Sequence, residues 1–401
     1  MSTRRQLLRA GAVTLVVGGA ALGYRAVDQG VFAVSRGRAY ALWRTWERAG
    51  GIEPVVAAGV LASNAHDSQP WRFRVEVTDG PAENPREAVI EVSRDSDRAL
   101  GAFDPFQREV HSSIGCAVEN IVVTAAARGY RATVDLLPAG AGPDLLARVG
   151  LERGPAEPTG LADAVARRHT NRFPYQRDAA IPADLVAGFD GRVADLRGIS
   201  VRWLTGDGDL QTFRDETVLA TEAFIADEDL SRDSHAWFRH SWAELQEEAA
   251  GLTLDGSVAS RPVAAVAKML PETGESQSNG VFLANTRRDV DTAPLAAVIV
   301  ADESLAPDPA DAREAWLLTG RAWQRLHLAM TADDLVAQPL SQLTELTDRE
   351  RALGAEPRFG DVLDDLAGPG VVPMMSFRAG YPTRDATPTP RRPLVEVVDY
   401  A

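Results

Sequence analysis

Apolar residues recur at helical spacing in two stretches of similar character. Residues 113–134 read SIGCAVENIVVTAAARGYRATV, and residues 318–338 read LTGRAWQRLHLAMTADDLVAQ. Each keeps apolar side chains on one helical face and ends in a short extended apolar piece. At an offset of 205, Gly115 meets Gly320, Ala117 meets Ala322 and Tyr130 meets Leu335. Each stretch follows an acidic loop containing proline, Asp104-Pro105 in one case and Pro307 to Pro309 in the other. Asp104 and Pro105 suit the cap and first position of a helix over Pro105–Arg128. Two unrelated amphipathic helices would show the same spacing, so the internal repeat rests on these flanks as well.

Around these helices the pattern predicts two halves. In the first, a helix over Val55–Ala62 leads through a polar loop to alternating strands at Trp71–Val77 and Ala88–Val92. A strand at Thr133–Leu137 follows the long helix. Residues 140–160 are rich in glycine and proline and read as a region containing a linker. The second half begins at Leu161. It has a helix at Pro182–Phe189, a strand at Ser200–Leu204 and helices at Leu210–Ala226 and Ser234–Ala249. An irregular region to Asn279 precedes a strand at Ala296–Val300, a helix at Ala312–Met330 and a strand at Met374–Gly380. The tail Pro382–Pro393 is proline-rich and therefore extended. Strands and helices in this order indicate an α+β fold, with mixed sheets flanked by helices. The boundaries are residues 45–160 for half one and 161–401 for half two.

Composition narrows the function. At 401 residues the chain exceeds one ordinary core, and 45% apolar content is globular. Net charge is −15, and residues 1–25 carry Arg4, Arg5, Arg9 and Arg25 without an acid. The remainder is therefore near −15 − 4 = −19, which repels nucleic acid and anionic lipid. Cys116 is the single cysteine, so an intramolecular disulfide is excluded. Its apolar helical surroundings make it a core residue.

The N-terminus has its own chemistry. Residues 2–9 read STRRQLLR, an apolar run follows from Ala10 to Tyr24, and no acid precedes Asp28. This resembles a twin-arginine export signal over residues 1–33, which implies an extracytoplasmic location and the export machinery as a partner. A membrane tether is the other reading, although the run is short of the ~20 residues that span a bilayer comfortably.

Two motifs carry candidate chemistry. Residues 63–73 read SNAHDSQPWRF, placing Ser63, Asn64, Ser68 and Gln69 before Pro70 and an apolar strand. Such groups suit the edge of a heteroaromatic ring, and they equally suit a polar turn. Residues 167–173 read RRHTNRF. Arg168, Thr170 and Arg172 offer planar forks and a hydroxyl that match phosphate, or a solvated basic helix end. Arg391 and Arg392 form a second basic cluster in an acidic chain. There is no Gly-x-Ser-x-Gly elbow, P-loop or Gly-x-Gly-x-x-Gly, and the six histidines are scattered, so no metal centre is expected.

Together these motifs resemble those of the nitroreductase-like FMN-binding family. RRHTNRF is similar to that family's phosphate-gripping Arg-Arg-Ser-x-Arg segment. SNAHDSQPW is similar to its Pro-Ser-x-x-Asn-x-Gln-Pro-Trp loop, and PTPRRPL to its C-terminal basic segment. The loop lies in half one and both basic clusters in half two, the division expected of the single-chain Acg-type subgroup, a fused pseudo-dimer with one FMN. The resemblance spans residues 45–398. The cofactor contacts it implies are Ser63, Asn64, Asp67, Ser68, Gln69, Arg168, Thr170, Arg172, Ser341, Arg391 and Arg392, with no obligate catalytic side chain.

The implied activity is hydride or electron transfer through FMN to a small nitro or quinone acceptor. Two departures matter. Asp67 stands where the family usually has Asn and would disfavour reduced flavin if it faced the ring. His169 stands where the second Arg often lies. Residues 228–280 correspond to a lid-like insertion in the same subgroup. Asp67 and a lid together support the alternative, a non-catalytic FMN-binding or storage protein with a covered flavin.

Overall fold

The computed structural model describes residues 23–257, 261–270, 274–308 and 310–401. The Arg4-Arg5 motif and most of the apolar run after it lie outside the described residues.

Strict alternation shapes the first sheet. In β1 (Trp71–Asp79), Trp71, Phe73 and Val75 are buried while Arg72, Arg74 and Glu76 face solvent. It pairs antiparallel with β2 (Glu87–Arg94). With β3 (Tyr130–Leu136), β4 (Leu145–Arg153) and β9 (Val398–Tyr400) the order is β3-β4-β2-β1-β9. Only the β1–β9 pairing is parallel, so this sheet is mixed, and its edge comes from the far end of the chain. The second sheet has the order β5-β6-β8-β7, from Ile199–Leu204, Leu295–Asp302, Val371–Gly380 and Val336–Pro339. All its pairings are antiparallel. Residues Leu295–Ala301 of β6 are buried on both faces, as a central strand requires.

Helix α1 (Glu53–Val60) leads into the 63–70 loop and packs on α2 (Arg108–Ala127). Helices α3 (Asp207–Ala226), α4 (Glu228–His235), α5 (Trp242–Glu248), α6 (Arg261–Met269) and α7 (Glu275–Asp291) follow β5. After β6 come α8 (Arg313–Ala332), α9 (Gln342–Leu353) and α10 (Arg358–Ala367). Helix α2 covers the first sheet, α8 covers the second, and the two helices pack against each other.

Their crossing is closest at the two glycines aligned by the sequence offset. A β-carbon on Gly115 would overlap the Leu317 carbonyl, and one on Gly320 would overlap the Ser112 carbonyl. Bonds cross at the same level. Ser112 donates to the Trp316 carbonyl, and Gln324 donates to Asn120 at 2.7 Å. Arg321 and Arg325 both clasp the buried Glu119.

Several expectations need correction. Residues 145–153 form β4, a central strand, where glycine and proline on both sides read as a linker. The helix expected over 234–249 is broken into α4 and α5, and the irregular stretch to Asn279 contains α6 and the start of α7. Pro105 does not begin α2, whose cap is Gln107 in a left-handed conformation. Asp104 still caps the helix from a distance, its carboxylate accepting from the Glu109 and Val110 amides at 3.0 and 3.1 Å.

Candidate functional site

A cavity of about 600 Å³ lies between the two halves. One wall is the loop after α1, with Ser63, Asn64, Ala65 and His66. His66, Asp67 and Gln69 all have left-handed backbone, with φ of 51, 52 and 52. For residues with a β-carbon this costs about 1 kcal/mol or more each, so the loop must be held from outside. Local bonds do part of this. Asn64 accepts from the Gln69 amide at 2.8 Å, and Ser68 donates to the Ala65 carbonyl at 2.8 Å. The other half supplies the rest, with Gln324 accepting from the Ser63 amide and Asp67 accepting from the Gly251 amide through its carbonyl.

The doubled-back loop splits the sequence candidates. Ser63 and Asn64 line the cavity, whereas Asp67, Ser68 and Gln69 are buried away from it. Asp67 pairs with Arg391 at 3.2 Å. Gln69 accepts from the Arg392 amide and donates to the Ala249 carbonyl. Asp67 and Gln69 therefore fasten the C-terminal tail, while the Ser68 hydroxyl is spent within the loop on the Ala65 carbonyl, which corrects the expectation that these three meet a bound ring. Arg392 likewise turns to Asp95, and Arg391 lies over the Trp43 ring.

The second basic motif divides the same way. Arg168 is buried and donates to the Leu61 carbonyl at 2.9 Å and to the Ser63 hydroxyl. Burial and the neighbouring Arg391 push its pKa down to about 9. His169 packs edge-on to Trp43. Thr170 and Arg172 line the cavity, as does Ser341 at the start of α9. Among the described residues, no carboxylate forms a salt bridge with Arg172. The Nε atoms of Arg168 and Arg391 are buried without a partner. Three guanidiniums thus crowd behind and into this wall, with Asp67 as the carboxylate paired to one of them. This excess of buried positive charge fits an anion.

The opposite end carries the reverse charge. Glu109 from α2 and Glu345 from α9 hydrogen-bond to each other beside His66, and the three present polar atoms within 4.8 Å of one another. Asp104 and Asp348 lie close by, with Arg108 pairing to Asp348 at 2.7 Å. Burial and Asp104 push Glu109 up to about 8, burial pushes Asp104 up to about 7, and burial raises Glu345 strongly. The pair therefore holds a proton at neutral pH. Burial and Arg172 lower His66 to about 3, leaving it neutral. Cys116 lines the floor as an inert thiol, raised by burial. Sequence reading missed the carboxyl pair. Its members are distant in the chain, and α9 was not recognised as a helix.

These shifts predict a pH effect. Asp104 and Glu109 bind protons more tightly folded than unfolded, so their stabilising contribution is lost as pH rises through about 7 and 8. The histidines act in the other direction. His66 and His111, lowered to about 3 and about 4, cost stability below the ordinary 6.5. The melting temperature is therefore expected to fall from pH 6.5 to 9, and Glu345→Gln should flatten that slope. A melting temperature that rises over this range would contradict the assignment.

Ser234 from α4, Val263 from α6 and Phe282 from α7, with Phe238 from the segment after α4, roof the cavity. Fold and site together define a two-sheet α+β protein with a cofactor-sized cavity, cationic at one end and acidic at the other.

No family model matches the chain. It is 27% identical over 357 residues to two Mycobacterium tuberculosis proteins, covering 87% of this chain and 91% of theirs. They are named "Putative NAD(P)H nitroreductase MT3217" (strain CDC 1551 / Oshkosh) and "Putative NAD(P)H nitroreductase Rv3131" (strain ATCC 25618 / H37Rv). Among solved structures, the FMN-dependent nitroreductase NfnB of Mycobacterium smegmatis in complex with NADPH aligns at 18% identity and a TM-score of 0.36. That alignment covers 60% of this chain and 99% of NfnB. The FMN and NADPH-dependent nitroreductase NfnB of sphigopyxis sp. strain HMH aligns at 17% identity and 0.38, covering 60% and 98%.

Proposed function

We propose that this chain is an exported FMN-dependent oxidoreductase of nitroreductase type, passing electrons from NAD(P)H through bound flavin to a nitro or quinone acceptor. The observation that carries this reading is the meeting of Ser63–His66 with Thr170 and Arg172 on one cavity, where Arg172 makes no salt bridge among the described residues. The near full-length likeness to proteins named as NAD(P)H nitroreductases supports it. Residues 45–160 and 161–401 act as the halves of an Acg-type pseudo-dimer, and residues 228–280 as the insertion over the site.

The residues present fit the cofactor. Arg172, Thr170 and the buried charge of Arg168 and Arg391 would hold its phosphate. The Ser63–His66 backbone, Asn64 and Ser341 would meet its ring system. When bound, FMN supplies the hydride or electron chemistry. The chain orients the acceptor, excludes water beneath the roof and keeps a proton on the Glu109–Glu345 pair. Export rests on the Arg4-Arg5 motif and the apolar run after it.

The roof also favours a second reading, a storage protein with covered flavin. Asp67 no longer supports that reading, since its charge is spent on Arg391. Anaerobic NADPH titration of the flavin-loaded chain separates the two. Bleaching of the flavin bands is expected, and bands that persist at excess NADPH would overturn turnover.

A further inference from the structure

Among the described residues, eleven large apolar side chains are strongly exposed, and six of them fall in two touching segments. Tyr24, Val27 and Phe32 belong to the first, and Val263 and Val266 mark the outer side of α6, with Leu270 just past its end. Arg25 joins the segments, donating to the Met269 and Leu270 carbonyls at 2.7 and 2.9 Å. The first segment is seated firmly, because Gly30 at φ 61 turns against the Trp242 ring with no room for a β-carbon. Positions 263, 266 and 270 follow helical spacing and form one stripe. Soluble surfaces rarely gather apolar side chains in this way without an occupant.

Two further observations choose the occupant. The acid-free apolar run Ala10–Tyr24, preceded by three arginines, arrives at Tyr24 and so at this patch. A run that enters lipid there brings the end of α6 to the same interface. Val263 is 56% exposed and also lines the cavity, so the stripe borders the cavity's edge. The acidic body repels anionic lipid, so the contact must be apolar, and raised salt, which screens that repulsion, should not weaken it.

We propose that this face, Tyr24, Val27 and Phe32 with Val263, Val266 and Leu270, rests in the surface of a lipid bilayer and opens the cavity to membrane-dissolved quinones. The lipid contact rests on the patch and on the apolar run that leads into it, independently of the flavin reading. The substrate class rests on the flavin reading above. In that step the acceptor quinone gains two electrons as a hydride from the reduced cofactor and one proton, giving the quinol and the oxidised cofactor.

The test uses the full chain with a nitroxide on Val266→Cys and, as a distant control, on Leu353→Cys. Cys116 is buried, so labelling is selective. On phosphatidylcholine vesicles with a minority of phosphatidylglycerol, the label at 266 should gain oxygen contact and lose contact with an aqueous nickel chelate several-fold. The label at 353 should not change, and raised salt should not release the protein. Equal chelate access at both positions on vesicles overturns the proposal. So does protection of 266 before vesicles are added, which would mean that the N-terminal run or a second copy covers the patch. For the substrate class, Val266→Ser with Leu270→Ser should slow reduction of a long-tailed quinone in vesicles several-fold and spare a water-soluble quinone. Equal loss on both quinones overturns that part. A chain without flavin would sink the functional reading and leave the label result to stand or fall alone.

Discussion

Gly320→Ala is expected to cost more stability than any other single methyl group added to this chain, with Gly115→Ala close behind. The new β-carbon would collide with the backbone carbonyl of Ser112, and backbone cannot swing aside as a side-chain tip can. Helices α2 and α8 would have to separate. That would stretch the Gln324–Asn120 and Ser112–Trp316 bonds and the Arg321 and Arg325 contacts to Glu119. Overpacking typically costs about 1–3 kcal/mol, and a backbone collision belongs at or above the top of that range. Gly188→Ala, also helical but with open space around it, should be neutral or stabilising by up to about 1 kcal/mol. Thermal melts of the three proteins decide the matter. Equal melting temperatures for Gly320→Ala and Gly188→Ala would mean that the helices do not cross at the glycines.

The second large effect concerns Arg172. Its guanidinium faces the cavity without a salt bridge to any described carboxylate, so a bound phosphate would be its partner. Charge-assisted hydrogen bonds are worth about 1.5–3 kcal/mol, or roughly tenfold to a hundredfold in affinity. Arg172→Ala should weaken FMN binding by that factor and leave the melting temperature of the cofactor-free chain nearly unchanged. Arg172→Lys should recover only part, because an ammonium lacks the planar fork. Arg167→Ala, at an exposed neighbour outside the cavity, should bind FMN normally. Equal affinities for Arg172→Ala and Arg167→Ala would remove Arg172 from the site.

Much of this was legible in the sequence because local spacing carried it. The α+β class follows from alternation in β1 and helical periodicity in α2 and α8. The paired glycines were visible as an offset before their contact was known. The Ser63–His66 wall and the Thr170–Arg172 wall were each local motifs, so each could be found.

What failed was mostly non-local. A strand's alternation would place Ser68 and Gln69 by counting, but three left-handed residues fold the loop back, turning Gln69 toward the tail and Ser68 onto the Ala65 carbonyl. Asp67 was expected at the ring because an analogous position touches it in the resembling family. Here Arg391 takes that carboxylate. No spacing rule joins Glu109 to Glu345. Some signals were present and unread, as in α10, where Phe359, Leu363 and Leu366 recur at helical spacing and are buried. In β4, Ala147, Val149 and Leu151 alternate into the core, but glycine and proline on both sides masked the strand.

The most direct measurement is equilibrium titration of FMN into the cofactor-free full-length chain, followed by flavin absorbance and fluorescence. Saturation at one FMN per chain, weakened in Arg172→Ala and unchanged in Arg167→Ala, is the predicted result. A folded chain that takes up no FMN at excess would contradict the assignment of the cavity between the 63–66 loop and Thr170–Arg172.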